Sequence, residues 1–125
     1  MNIDMKIDFS KETFTLSEQQ LIKKEVEVIK SKYPNHIPVV VNSKDKTIKL
    51  TKNKFLIGED ITIGQFMFIL KKRISGSKNP SVAMYLFIDD KIFPASQMLS
   101  YIYNQHKDKS TGMLFVKVCQ ENTFG

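Results

Sequence analysis

The chain has 125 residues and a formal charge of +6, a length that fits one domain with a modest core. Its single Cys119 excludes an internal disulfide and any cysteine-based zinc framework. No apolar run is long enough to cross a bilayer and no signal-peptide pattern opens the sequence, so the expectation is a soluble, cytoplasmic protein.

In chain order, the residues before Asp8 carry no clear pattern, and Phe9 to Phe14 suit a turn or two of helix. Ser17 to Gln20 reads as a capping box, with Leu16 and Leu21 as the hydrophobic staple around it. Ile22, Val26, Ile29 and Tyr33 then recur at helical spacing, and Pro34 ends the helix. Pro38 to Val41 is a short apolar strand, and Ile48 to Ile57 a half-buried strand that forms a hairpin with it. Along its later part Lys52, Lys54 and Leu56 share one face, while Phe55 and Ile57 share the other. Thr62 and Gln65 form a second capping box, with Ile61 and Phe66 as its staple. Ile63, Phe66, Met67, Leu70 and Ile74 line the core side of that helix. Lys71, Lys72 and Arg73 sit in its last turn, where positive charge suits the helix dipole, and Ser75 to Ser77 stops it.

Val82 to Ile88 is an apolar strand, and Asp89-Asp90 turns into a brief return strand at Lys91 to Phe93. Ser96 caps a last helix with Leu99, Ile102 and Tyr103 inward. Met113 to Val118 is the final strand, followed by a polar tail ending in Gly125. Helices followed by β-β-α-β-β-α-β, with the last strand returning through the middle, predict an α+β fold. That order matches the β-grasp of ubiquitin.

The charge is unevenly spread. Residues 1–36 hold six basic and six acidic side chains, whereas residues 44–73 hold eight basic and three acidic. Such a patch suits an acidic partner, whether nucleic acid, anionic lipid or acidic peptide; a solvated lysine-rich face explains the charge equally well.

At Lys32-Tyr33-Pro34-Asn35-His36-Ile37-Pro38-Val39-Val40-Val41 the chain resembles the autophagy ubiquitin-like modifiers of the GABARAP type. Lys54-Phe55-Leu56-Ile57, Ile63-Gly64-Gln65-Phe66, Lys71 to Ile74 and the closing Glu121-Asn122-Thr123-Phe124-Gly125 continue the resemblance. It implies a ubiquitin-like β-grasp with two additional N-terminal helices, divided as an N-terminal helical extension over 1–34, a ubiquitin-like core over 35–119 and a flexible conjugation tail over 120–125. It further implies a non-enzymatic modifier whose Gly125 is activated by an E1-like enzyme, passed to an E2-like enzyme, and joined to phosphatidylethanolamine as a covalent conjugate. A cysteine protease does any trimming, and the lipidated form sits on the autophagosomal or a related membrane. No other cofactor and no metal is implied.

The same resemblance implies binding of adaptors through an aromatic–x–x–aliphatic motif with acidic flanks. One pocket would be lined by Glu25, Ile29, Pro38, Lys54, Leu56 and Met113. The other would be lined by Tyr33, Ile57, Ile61, Phe66 and Ile69, with Phe66 and Ile69 part core and part pocket wall. Lys52 and Arg73 complete the peptide-binding set. Three positions depart from the family pattern: His36 stands for the usual Arg, Gly58 for Pro and Met113 for an aromatic residue. Cys119 and the two histidines carry no catalytic signature, and His106 suits the helix dipole better than a metal. Two competing readings remain: a small basic RNA-binding α+β domain, and a ubiquitin-like peptide-binding module that is never conjugated. The resemblance itself gives no expectation of nucleic-acid binding.

Overall fold

The computed structural model describes residues 7–44, 48–50, 52–75 and 84–120. Helix α1 (Leu16–Lys32) precedes β1 (His36–Ser43), β2 (Lys49–Leu50) and β3 (Lys54–Gly58). Helix α2 (Ile63–Lys71), β4 (Ile74–Ser75), β5 (Met84–Phe87), α3 (Leu99–His106) and β6 (Leu114–Gln120) follow. The four long strands form a mixed sheet in the order β3-β1-β6-β5, and β2 pairs with β4 in a second, two-stranded sheet. β6 lies parallel to β1 and antiparallel to β5, so the last strand does return through the middle.

Strand alternation sends side chains to two faces. Ile37, Val39, Val41, Phe55, Ile57, Leu114, Val116 and Val118 join α2 and α3 in the main core. Val40 and Met113 face the other way, into a second cluster with Ile22, Val26 and Ile29 of α1. Pro38 lies within β1 without disrupting it. Val41 donates to Asn53 O across the hairpin, so odd positions of β1 point their N–H groups at β3 and even ones at β6. Pairing with β6 begins only at Val39, so the N–H that Pro38 lacks is not missed.

The N-terminal caps of α1 and α2 are full capping boxes. At α2 the Gln65 amide donates to Thr62 Oγ1 and the Thr62 amide to Gln65 Oε1, as the sequence predicts. At α1 the cap is Thr15 with Glu18, two residues earlier than the predicted Ser17 box. Glu18 is held by the Lys11 ammonium and then by the Thr15 amide, which together keep its carboxyl below the usual range. The predicted Leu16–Leu21 staple is absent: these side chains are 70% and 58% exposed.

Other expectations change in detail. Phe9 to Phe14 form turns and bends and no helix, so among the described residues the N-terminal extension contributes one helix to the β-grasp. The strand expected over Ile48–Ile57 is split, because Lys49–Leu50 leave the hairpin to pair with Ser75 and Ile74. Ile74 therefore packs on the main core from a strand, and α2 ends at Lys71 with Lys72 as its cap. Lys72 and Arg73 close that end with amide bonds to Ile69 O and Leu70 O, the tighter i−3 pattern. The expected return strand is reduced to one bridge, Ile88 with Lys91. Ser96 does not cap α3; the cap is Met98 without a side-chain bond. Its role is taken by the backbone, since Leu99 N–H donates to Ile61 O and Ile63 N–H to Gln97 O. Leu99, Ile102 and Tyr103 are buried as expected.

Gly112 turns the chain from α3 into β6 at φ +80, and a Cβ there would meet Val26 Cγ1 at 2.9 Å. Only glycine allows this approach of the loop to α1. Tyr103 donates to Gly112 O at 2.6 Å and fixes the turn.

The capping assignment is testable. Thr15→Ala should lower the unfolding free energy by about 1 kcal/mol, whereas Ser17→Ala should change it by less than about 0.5 kcal/mol. Urea denaturation of both variants decides which residue caps α1.

Candidate docking groove

β3 is at one end of the main sheet, paired with β1 through Val40↔Lys54, Val39↔Phe55, Pro38↔Leu56, Ile37↔Ile57 and His36↔Gly58. Asn53 and Glu59 both bond inward to the β1 side, Asn53 O from Val41 and Glu59 N–H to Asn35 O. Alternation therefore turns Phe55 and Ile57 inward with their backbone groups, and turns the N–H and C=O of Leu56 outward. Among the described residues no strand lies beyond β3. An outward strand edge of this kind is where an extended peptide adds itself by backbone hydrogen bonding.

The predicted pocket residues divide across this edge. Pro38, Lys54 and Leu56 lie on the face that looks at α1, and α1 brings Glu25 and Ile29 over the same face. Met113 enters from the start of β6. Glu25, Lys54 and Leu56 are half-buried, whereas Ile29, Pro38 and Met113 are fully buried and form a floor. The departure from an aromatic at Met113 thus falls in the packing beneath the groove, where a flexible thioether fills irregular space.

On the opposite face Ile57 and Phe66 are buried, Ile61 is half-buried against the core, and Ile69 of α2 is half-buried. Phe55 meets Phe66 edge-on at 6.2 Å between centroids. Tyr33, 38% exposed, packs edge-on to His36, which pairs with Gly58 at the end of β3. Lys52 lies just before β3 with its ammonium 5.3 Å from the Phe55 ring centroid. Arg73 is exposed beyond the end of α2. Glu121 to Gly125, with the expected conjugation site, lie outside the described residues.

One residue of this region was not anticipated. Phe9 is 2% exposed and belongs to the same buried cluster as Ile29 and Met113, with Leu56 packed against it. The Lys54 ammonium sits 5.2 Å from its ring centroid. The only sequence signal was a large apolar residue in a polar stretch, immediately after Asp8.

The other groups that drew attention are placed elsewhere. His106 closes α3 and bonds Asp89 through Nδ1 at 2.8 Å, with Phe93 edge-on to its ring. Cys119 is half-buried in β6. No helix among the described residues is long and apolar enough to cross a membrane.

A family model described as autophagy protein Atg8, ubiquitin-like, matches residues 22–125. The chain belongs to this family. The Autophagy-related protein 8 of Mycosarcoma maydis is 39% identical over 105 residues, covering 82% of this chain and 86% of the relative. That of Schizosaccharomyces pombe is also 39% identical over 105 residues, covering 82% and 84%. Among solved structures, Trypanosoma brucei ATG8 superposes with a TM-score of 0.74 at 28% identity, covering 96% of this chain and 100% of the other. Plasmodium falciparum Atg8, in complex with a Plasmodium falciparum Atg3 peptide, gives a TM-score of 0.70 at 26% identity, covering 88% and 98%. The Atg8 membership makes this chain a ubiquitin-like protein of autophagy, and its β-grasp is the fold of those structures.

The alternation along β3 has a measurable consequence. In hydrogen exchange the Leu56 amide should exchange at least about tenfold faster than the Phe55 and Ile57 amides, which face β1. Equal protection of all three would mean that the edge is covered.

Proposed function

We propose that this Atg8-family chain is a modifier conjugated through Gly125 to phosphatidylethanolamine, and that in this form it gathers adaptor proteins on autophagosomal membranes. The single observation that supports the docking half is the β3 edge, with an apolar cluster on each side of it. An incoming extended peptide would gain backbone bonds along Leu56 while its alternate side chains reach opposite faces. The aromatic anchor goes to the side of Glu25, Ile29, Pro38, Lys54, Leu56 and Met113. The aliphatic anchor goes to the side of Tyr33, Ile57, Ile61, Phe66 and Ile69. Lys52, Lys54 and Arg73 favour acidic flanks; exposed pairs of this kind contribute only about 0.2–1 kcal/mol each, so the apolar anchors dominate affinity. The peptide-bound state of the Plasmodium relative supports a peptide-binding surface in this family.

The conjugation half rests on the family match, which runs through Gly125. A glycine on a polar tail lets the carboxyl carbon approach an enzyme's cysteine closely, because no Cβ intervenes. The E1-like enzyme activates that carboxyl, the E2-like enzyme carries it as a thioester, and the lipid amine displaces the thiol to form an amide. Processing by a cysteine protease completes the cycle. The RNA-binding reading is not favoured: Phe55 and Phe66 are buried, and Lys52 and Lys54 lie over rings of this chain itself.

Incubation with the family's E1-like and E2-like enzymes, ATP and phosphatidylethanolamine liposomes should shift the mass by one lipid, and deletion of Gly125 should abolish the shift. An unshifted parent chain, under conditions that lipidate a related Atg8, rules out conjugation. For docking, Lys54→Ala combined with Leu56→Ala should weaken an acidic-flanked aromatic–x–x–aliphatic peptide at least about tenfold by calorimetry. Unchanged affinity would remove the groove.

A further inference from the structure

We infer that residues 7–14 are a built-in competitor of the adaptor peptide, with Phe9 occupying the aromatic-anchor side of the groove. The inference rests on the docking groove proposed above. Phe9 lies in the cluster formed by Ile29, Val40 and Met113, and Lys54 covers its ring. Ile29, Met113, Lys54 and Leu56 are four of the six residues assigned to the aromatic anchor of a ligand. Phe9 also follows Asp8 directly, as an acidic flank precedes an aromatic anchor.

The segment is tied down in a way that permits release. It forms neither helix nor strand over residues 7–14. Asn42 Nδ2 donates to Phe9 O at 2.8 Å, and Phe14 stacks on Phe115 at 5.8 Å. Gln19 Nε2 donates to Phe14 O at 3.0 Å, and two ion pairs at exposed sites add to the tether, Lys11 with Glu18 and Lys117 with Glu12; such pairs are weak and screened by salt. Aligned as a ligand, Phe9 has Glu12 three residues on where an aliphatic anchor belongs. The segment therefore fills one side of the groove and leaves the Ile57–Ile69 side open. A ligand with both anchors gains the second pocket and the β3 edge, and displaces a one-anchor latch. A latch closed nine times in ten raises the apparent Kd about tenfold, because only the open fraction binds. Raised salt loosens the tether and reduces this penalty.

The test uses the full chain and a dye-labelled peptide carrying an acidic run, Phe, two spacer residues and Leu. Phe9→Ala should bind it about tenfold more tightly than the parent chain. Because Phe9→Ala removes a buried ring, a second variant reads occupancy without emptying the site. The chain has no tryptophan, so Phe9→Trp supplies a lone indole. Its emission should be blue-shifted in the free protein and move to the red at peptide saturation. Equal binding by parent and Phe9→Ala, with an indole emission unmoved at saturation, overturns the latch and leaves the groove standing. Absence of binding by both chains overturns the groove, and the latch with it.

Discussion

Strand β1 is buried on both of its faces, and the rest of the molecule follows from that. Ile37, Val39 and Val41 look into the core under α2 and α3, while Val40 looks into the cluster under α1. A strand covered on both sides belongs in the interior of a sheet. β6 pairs with it on one flank and β3 on the other, which places β3 at the edge. The position of the edge proposed for docking is thus a consequence of where the apolar residues of β1 have to go. Fully burying one aliphatic side chain contributes about 1.5–3 kcal/mol, and a one-residue shift of β1 would exchange its two faces and turn the polar Asn42 towards the main core in place of an aliphatic residue.

The same constraint gives the groove its two-sided character. Leu56 and Lys54 are on the α1 face because they pair with Pro38 and Val40, and Phe55 and Ile57 are on the α2 face because they pair with Val39 and Ile37. A ligand strand laid beside β3 inherits this alternation. The α1 side also has to be closed from above, and α1 alone leaves room that Phe9 fills. On the proposed reading, completing the second core and occupying the aromatic site are one act, and stability and ligand affinity would oppose each other at that ring.

Much of this was legible in the sequence, for local reasons. Thr62 and Gln65 announce their helix through chemistry confined to four residues, and the 3.6-residue spacing of Ile63, Phe66 and Leu70 gives its buried face directly. The alternation from Lys54 to Ile57 was likewise readable without tertiary knowledge. The departures arise where local signals are degenerate or the partner is distant. Thr15–Glu18 and Ser17–Gln20 both satisfy the capping-box pattern, and the tie from Lys11 to Glu18 accompanies the earlier one. Lys49–Leu50 leave the hairpin for Ile74–Ser75, a pairing no local pattern announces. Phe9 reads as a weak helix residue because its partners, from Ile22 to Met113, are far along the chain. Of the site, the edge, its alternation and the inward positions of Ile29 and Phe66 were readable, while the burial of Met113 and the presence of Phe9 required the packed structure.

The most direct measurement is a solved structure of the chain with an acidic-flanked aromatic–x–x–aliphatic peptide. The expected result is a peptide strand bonded to the outward groups of Leu56, its aromatic ring beneath Lys54, and Phe9 withdrawn from the α1 cluster. A peptide seated elsewhere, with Phe9 still beneath Lys54, would contradict both the groove and the latch.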